Sequence, residues 1–397
     1  AAHLRQFGWM GAITLIGEEP VPPYQRPPLS KGWLKGEADA ATVALRPASF
    51  YPANGITLRL STLAVAIDRT ARMVTLATGE VLGYDRLVLA LGARPRKLVL
   101  PGIELPGVLE LRTAADADRL QAVLGPGRRF VVIGGGYIGL EAAAAARSLG
   151  TETTVIEREE RVLARVACAP VLGFFQDYHR ARGVHLVLDT RIEAIEGADQ
   201  PHGQPHGRAT GVRLSDGRLV PCDAVLVGVG VAPEEALART AGLACESGIV
   251  VDQSARTSDA IIYAIGDCTR RPVPLYGCSV RLESVPNALE QAKQAAADIC
   301  GRPPPAPEVP WFWSDQFDLR LQIVGLPIGA AEVLVRGKPA TGSFAAFHLD
   351  ADARLLAVEA VNAVPEFMVG RMLIAKRARV APARLQDVSV SMKDVAA

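Results

Sequence analysis

The chain has 397 residues, 49% of them hydrophobic and 21% charged, with a formal net charge of +1. At roughly 150 residues per domain there is room for two or three cores. The near-zero charge removes any global drive toward nucleic acid or anionic membrane. The longest apolar run, AVLVGVGVA at 224–232, is about half of the roughly 20 residues a spanning helix needs.

The chain opens AAHLRQFGWMGAITLIGEEP, which reads as the end of a helix, a turn at Gly8, a strand over Ala12–Ile16 and then acids. Residues 142–157, AAAAARSLGTETTVIE, repeat this part for part. The second copy is preceded by RRFVVIGGGYIGLE, a strand running into glycines and a helix. The expectation is that the coding sequence upstream of Ala1 supplies the matching strand and glycine loop.

Segment 58–82 has short alternating strands around a TG turn and reads as an antiparallel meander. A second such pattern spans 185–220 around SDG. The runs RLVLALG (86–92) and RFVVIGG (129–135) are continuously apolar, as strands buried on both faces are. Between them TAADADRLQAVL (113–124) reads as a helix opened by a Thr113–Asp116 capping box. Strands alternating with helices give a parallel sheet covered by helices. PHGQPHG (201–207) is a polar loop whose histidines lack ligand-spaced partners, so no metal site is expected. GRPPPAPEVP (301–310) is an extended Pro-rich linker. Beyond it strands and a helix from about Pro365 to Ala375 form a small α+β domain.

The six cysteines, 168, 222, 245, 268, 278 and 300, include no CxxC. They read as small apolar fillers in a reducing compartment, which places the protein in the cytoplasm.

Gly134, Gly136 and Gly139 form GxGxxG between a strand and a helix. The first glycine permits the tight turn, the second lets backbone approach a pyrophosphate, and the third lets helix and strand pack closely. The helix N-terminus then offers unpaired N–H groups to phosphate. Glu157 ends the next strand, where a carboxylate accepts from a ribose 2′-OH and repels a 2′-phosphate. That favours NADH over NADPH, and the neighbouring Arg158 blurs the preference. The bland alternative is a glycine-tight βαβ unit without ligand. Glu18 occupies in the first copy the place of Glu157, implying a second adenine nucleotide. Two such units in one chain suggest NADH plus a bound flavin dinucleotide, FAD. Asp267 ends the strand-like YAIGD, where it could bind a sugar-like chain or cap a helix.

These residues carry a resemblance. PPYQRPPLSK (22–31), LALGARPR (89–96), GGGYIGLE (134–141), YAIGDC (263–268), RLESVPNALEQA (281–292) and WFWSDQ (311–316), in that order, resemble the NADH-dependent ferredoxin reductases of bacterial oxygenase systems. The resemblance covers essentially the whole chain except the first glycine loop. It implies two Rossmann-like dinucleotide-binding domains of glutathione reductase-like α/β fold plus a C-terminal α+β domain. The boundaries are 1–107 with 233–304 for FAD, 108–232 for NADH and 305–397 for the last domain. It further implies that Glu18 binds the FAD adenosine ribose, that backbone near Ala64 lines the adenine, and that Arg112 contacts FAD. Asp267 would meet the ribityl hydroxyls. Val285 would offer backbone to the isoalloxazine ahead of a helix beginning near Asn287. Lys31 would lie beside flavin N5, and Glu141 would meet the nicotinamide carboxamide. Trp313 would flank the docking site of a [2Fe–2S] ferredoxin; its bland reading is a core tryptophan. Arg270 and Arg271, next to the GDC motif, would help dock an acidic ferredoxin or else are a solvated pair.

Two further readings remain. Relatives of the scaffold act on oxygen, peroxide or monodehydroascorbate. A flavin-free NADH-binding or scaffolding protein is the reading from another class. A disulfide reductase would need a cysteine pair near 20–35, and PVPPYQRPPLSKGWLK has none.

Overall fold

The computed structural model describes residues 1–164, 166–198 and 207–396, so nearly all of the PHGQPHG loop lies outside the described residues. The chain divides into two compact units. One comprises Ala1–Gln25, Ala40–Arg94 and Ala232–Phe312; the other comprises Arg26–Asp39, Pro95–Val231 and Trp313–Ala397.

In the first unit the opening helix is Ala2–Gln6, Gly8 turns at φ +93°, and the first strand is Ile13–Ile16. That strand pairs in parallel with Ile56–Arg59, and Leu87–Leu89 pairs in parallel with Ile262–Ala264. The expected meander is Ala64–Asp68, Met73–Leu76 and Val81–Gly83, all antiparallel. Its buried side chains Ile67 and Leu76 share a core with Leu89, Ile249, Ile262 and Cys268. The long helix Val285–Ile299 carries Ser284 as N-cap, its side chain accepting from Asn287 N–H.

The second unit contains a five-stranded, all-parallel sheet. Its spatial order is Val184–Val187, Glu152–Ile156, Arg129–Ile133, Ala224–Val227 and Val108–Leu109. The strand Arg129–Ile133 is buried from Phe130 onward, which explains its continuous apolarity. The crossover from it to Glu152–Ile156 is the helix Tyr137–Ser148, whose alanines let helix and sheet approach closely. The capping box at Thr113 and Asp116 is present and starts the helix Ala114–Gln121.

After the linker comes an antiparallel five-stranded sheet: Trp311–Gln316, Leu319–Gly325, Leu355–Val361, Ser343–Leu349, Glu332–Lys338 in spatial order. The helix Val364–Ala375 packs on it. Arg336, 6% exposed, reaches from the edge strand to the backbone that follows. Its guanidinium donates to the carbonyls of Leu385, Asp387, Val388 and Val390 at 3.1, 2.6, 3.5 and 2.7 Å. Among the described residues no helix is long and apolar enough to cross a membrane.

Candidate functional site

The glycine loop is shaped by three different constraints. Gly134 sits at φ +108°, and a Cβ there would come within 2.5 Å of the Gly228 carbonyl oxygen. A Cβ on Gly139 would come within 2.1 Å of the Gly134 carbonyl oxygen, so the helix can lie this close only with glycine. Gly136, the helix N-cap, would place a Cβ with nothing within 4 Å. Its bareness therefore serves no packing purpose, and it leaves room for an approaching group. Just past the strand Glu152–Ile156, Glu157 accepts from Gly135 N–H at 2.6 Å and from Glu159 N–H at 3.0 Å. The acid thus stands at the loop, beside the N-terminus of the helix. This arrangement fits a dinucleotide whose ribose meets the carboxylate.

Glu141 lies one turn further along that helix and is only 6% exposed. A buried carboxylate needs compensation, and it has three partners. Lys31 Nζ is 2.8 Å from Oε2, Ser30 Oγ donates to Oε2 at 2.5 Å, and Ser314 Oγ donates to Oε1 at 2.7 Å. Lys31 follows a short 3-10 helix, Pro27–Ser30, started by its two prolines. Trp33 behind it is pinned: its Nε1 donates to Asp118 at 2.9 Å, and its carbonyl accepts from Gln121 Nε2 at 2.7 Å. Lys31 is therefore a fixed lysine, and the structure brings it to Glu141. Arg112 sits next to the capping box, its N–H donating to Asp116 at 3.0 Å, and Arg26 donates to its carbonyl. Burial pushes the Asp116 carboxyl up, but hydrogen bonds from Thr113, Arg119 and Arg112 hold it below its ordinary value.

Glu18, Ala64, Asp267 and Val285 belong to the first unit. Glu18 is exposed just beyond the first strand, and Ala64 opens the meander. Asp267 lies in a one-turn 3-10 helix, Gly266–Cys268, directly after the parallel strand Ile262–Ala264; it caps no long helix. Val285 is the first residue of the long helix, which begins two residues earlier than expected because Ser284 supplies the cap. These positions fit the ribose, ribityl and ring ends of FAD.

Arg271 corrects an expectation. It is 4% exposed, with Nη1 at 2.9 Å from Glu290 and 3.0 Å from Asn287 Oδ1. In the strand Thr269–Val273 alternate side chains face inward, and Arg271 is one of them. It braces the long helix and is no docking charge. Arg270 faces outward, 3.6 Å from Glu246.

Ser30 and Ser314 were not singled out by sequence reasoning. Ser314 had a legible signal: in WFWSDQ, Ser314 and Gln316 alternate with tryptophans on a strand, and both are buried. Another polar group, Cys168, His348 and Glu359, brings donor atoms within 4.8 Å. Glu359 accepts from Cys168 N–H on both oxygens at 3.0 Å and contacts His348 Nε2 at 2.8 Å. The trio clasps the start of the helix Ala169–Ala181. Burial, then Glu359, push the Cys168 thiol up to about 12, and burial pushes Cys268 up to about 11. The six cysteines are free.

Two family models match the chain: pyridine nucleotide-disulphide oxidoreductase over residues 1–292, and reductase C-terminal over 311–396. A probable ferredoxin reductase, CtmF, of Castellaniella defragrans is 49% identical over 100% of this chain and 95% of its own. Putidaredoxin reductase CamA of Pseudomonas putida is 42% identical over 100% and 93%. The crystal structure of a covalent putidaredoxin reductase–putidaredoxin complex superposes with a TM-score of 0.95 at 41% identity, covering 99% of this chain and 94% of that one. With a glycine loop opening the helix Tyr137–Ser148, a half-buried Lys31 paired with a buried Glu141 and likeness along its full length, the chain belongs to the pyridine nucleotide-disulphide oxidoreductases, among the ferredoxin reductases that carry the reductase C-terminal domain.

Proposed function

We propose that this protein is an FAD-dependent reductase that takes hydride from NADH and delivers single electrons to a [2Fe–2S] ferredoxin feeding an oxygenase. The observation that carries it is the buried Glu141 carboxylate held at 2.8 Å from Lys31. A disulfide-reducing relative would present a cysteine pair on the segment that here carries Lys31, and residues 20–35 contain no cysteine. FAD, when bound, supplies a ring that accepts two electrons together and gives them up singly.

The protein's part is positioning and electrostatics. Gly134, Gly136 and Gly139 admit the NADH pyrophosphate to the helix N-terminus, and Glu157 receives the adenosine ribose. Glu141 accepts from the nicotinamide carboxamide. Lys31 carries the positive charge that favours an anionic reduced ring. FAD would be held by Glu18 at the adenosine ribose, by backbone at Ala64 at the adenine, by Asp267 at the ribityl hydroxyls and by Val285 at the ring, with Arg112 as a further contact. Trp313 flanks the ferredoxin. We assign 1–107 with 233–304 to FAD, 108–232 to NADH and 305–397 to a C-terminal α+β domain. The six free cysteines support a cytoplasmic setting.

The test is a visible spectrum of the purified protein followed by NADH-driven reduction of a [2Fe–2S] ferredoxin. A flavin spectrum with ferredoxin turnover well above that on oxygen, peroxide or monodehydroascorbate is expected. Absence of flavin would leave the scaffolding reading, and preference for one of the small oxidants would move the activity there.

A further inference from the structure

The Glu141 carboxylate has about four acceptor sites on its two oxygens. Among the described residues, Oε2 faces two groups, Ser30 and Lys31, and Oε1 one, Ser314. One acceptor site is left, and it is on the oxygen that Ser314 holds. Which way that site points is therefore decided by Ser314.

Ser314 is itself held. Its Oγ accepts from Gln316 Nε2 at 3.1 Å, and Gln316 Oε1 faces His179 Nε2 at 2.8 Å. Ser314, Gln316 and His179 are 0%, 1% and 0% exposed. The carbonyl oxygen of Gln316 only accepts, so His179 carries its hydrogen on Nε2. Nδ1 is then bare, which agrees with its being buried without a hydrogen-bond partner. Burial holds this imidazole down at about 4, so it is neutral at physiological pH. Every donor in the row points the same way: His179 to Gln316, Gln316 to Ser314, Ser314 to Glu141. Hydrogen bonds aligned head to tail strengthen one another. The row ends against Phe317, whose ring centroid lies 5.1 Å from that of His179.

We infer that Ser314, Gln316 and His179 are positioning residues for the NADH half-reaction, aiming the one open acceptor site of Glu141 at the nicotinamide carboxamide. The inference rests on the reading of Glu141 given above. It makes the sheet after the Pro-rich linker a working part of hydride entry, one residue away from Trp313 on the ferredoxin side.

The experiment compares binding of NAD+ with binding of ADP-ribose, which lacks the nicotinamide, by calorimetry on the full chain. The variants are Ser314→Ala, Gln316→Met and Glu141→Gln. Ser314→Ala is expected to weaken NAD+ by about tenfold, the scale of one hydrogen bond to a charged group, and to leave ADP-ribose unchanged. Gln316→Met should move NAD+ in the same direction by less, and it carries the test if Ser314→Ala does not fold. NAD+ affinity kept in both, while Glu141→Gln loses it, overturns the positioning role alone. NAD+ affinity kept even in Glu141→Gln overturns the reading of Glu141 beneath it. Equal losses for NAD+ and ADP-ribose would make the row merely structural and overturn the inference.

Discussion

Removing the Glu157 carboxylate takes away both an acceptor for a ribose hydroxyl and the repulsion that a 2′-phosphate would meet. Glu157→Ala is therefore expected to narrow the NADH-over-NADPH preference in kcat/KM; steady-state kinetics with both nucleotides decide it, and an unchanged ratio rules the role out. Arg271 leads to a different kind of outcome. Its 2.9 Å pair with Glu290 is buried, so Arg271→Met strands a carboxylate and should cost about 3–5 kcal/mol in a denaturant melt. His179 adds a pH dependence. Its folded value of about 4 lies below the ordinary 6.5, so the unfolded chain takes up a proton that the native state refuses. Stability contributed by the neutral ring is present above pH 6.5 and falls as pH drops from 6.5 toward 4, by about 3 kcal/mol at most. Melts over that window should be steeper in the native protein than in His179→Phe. The glycines were legible because the tight turn at Gly134 and the close helix approach at Gly139 each demand a bare residue at a set spacing. Arg271 was not, because RRP looks like a solvated pair until strand alternation sends one arginine inward.

The helix Tyr137–Ser148 and the strand before it separate folding from binding at neighbouring glycines. Gly139→Ala drives a Cβ to within 2.1 Å of backbone, so the helix must move off the strand; a marked fall in Tm is expected. Gly136→Ala meets nothing within 4 Å and should leave Tm alone, while its methyl occupies the pyrophosphate's approach and raises KM for NADH by about tenfold or more. Thermal melts beside NADH titrations check both. Elements buried on both faces, such as Arg129–Ile133, were readable from their unbroken apolarity. Boundaries were less so. The long helix begins at Val285 because the cap is Ser284, a residue whose capping bond depends on the backbone turn before it.

At the scale of the chain, a net charge of +1 supplies no steering field, so recognition of an electron acceptor falls to local surface. Trp313→Ala should slow stopped-flow reduction of a [2Fe–2S] ferredoxin while NADH-driven reduction of a small quinone persists; loss of both would return Trp313 to the core. The ordered motifs made the fold class readable from sequence. The partners of Glu141 were not, since Ser30, Lys31 and Ser314 come from segments far apart in the chain and meet only through the fold. Arg336 shows what such a meeting does to motion. One guanidinium fork gathers four carbonyls between Leu385 and Val390, while the strand it springs from is secured by its own ladder to Ser343–Leu349. The segment after the helix Val364–Ala375 can then open as a separate cooperative piece, with the sheet left closed. In native-state amide exchange, Arg336→Lys should speed the segment around Leu385 and leave the amides of Phe344–Phe347 as slow as before.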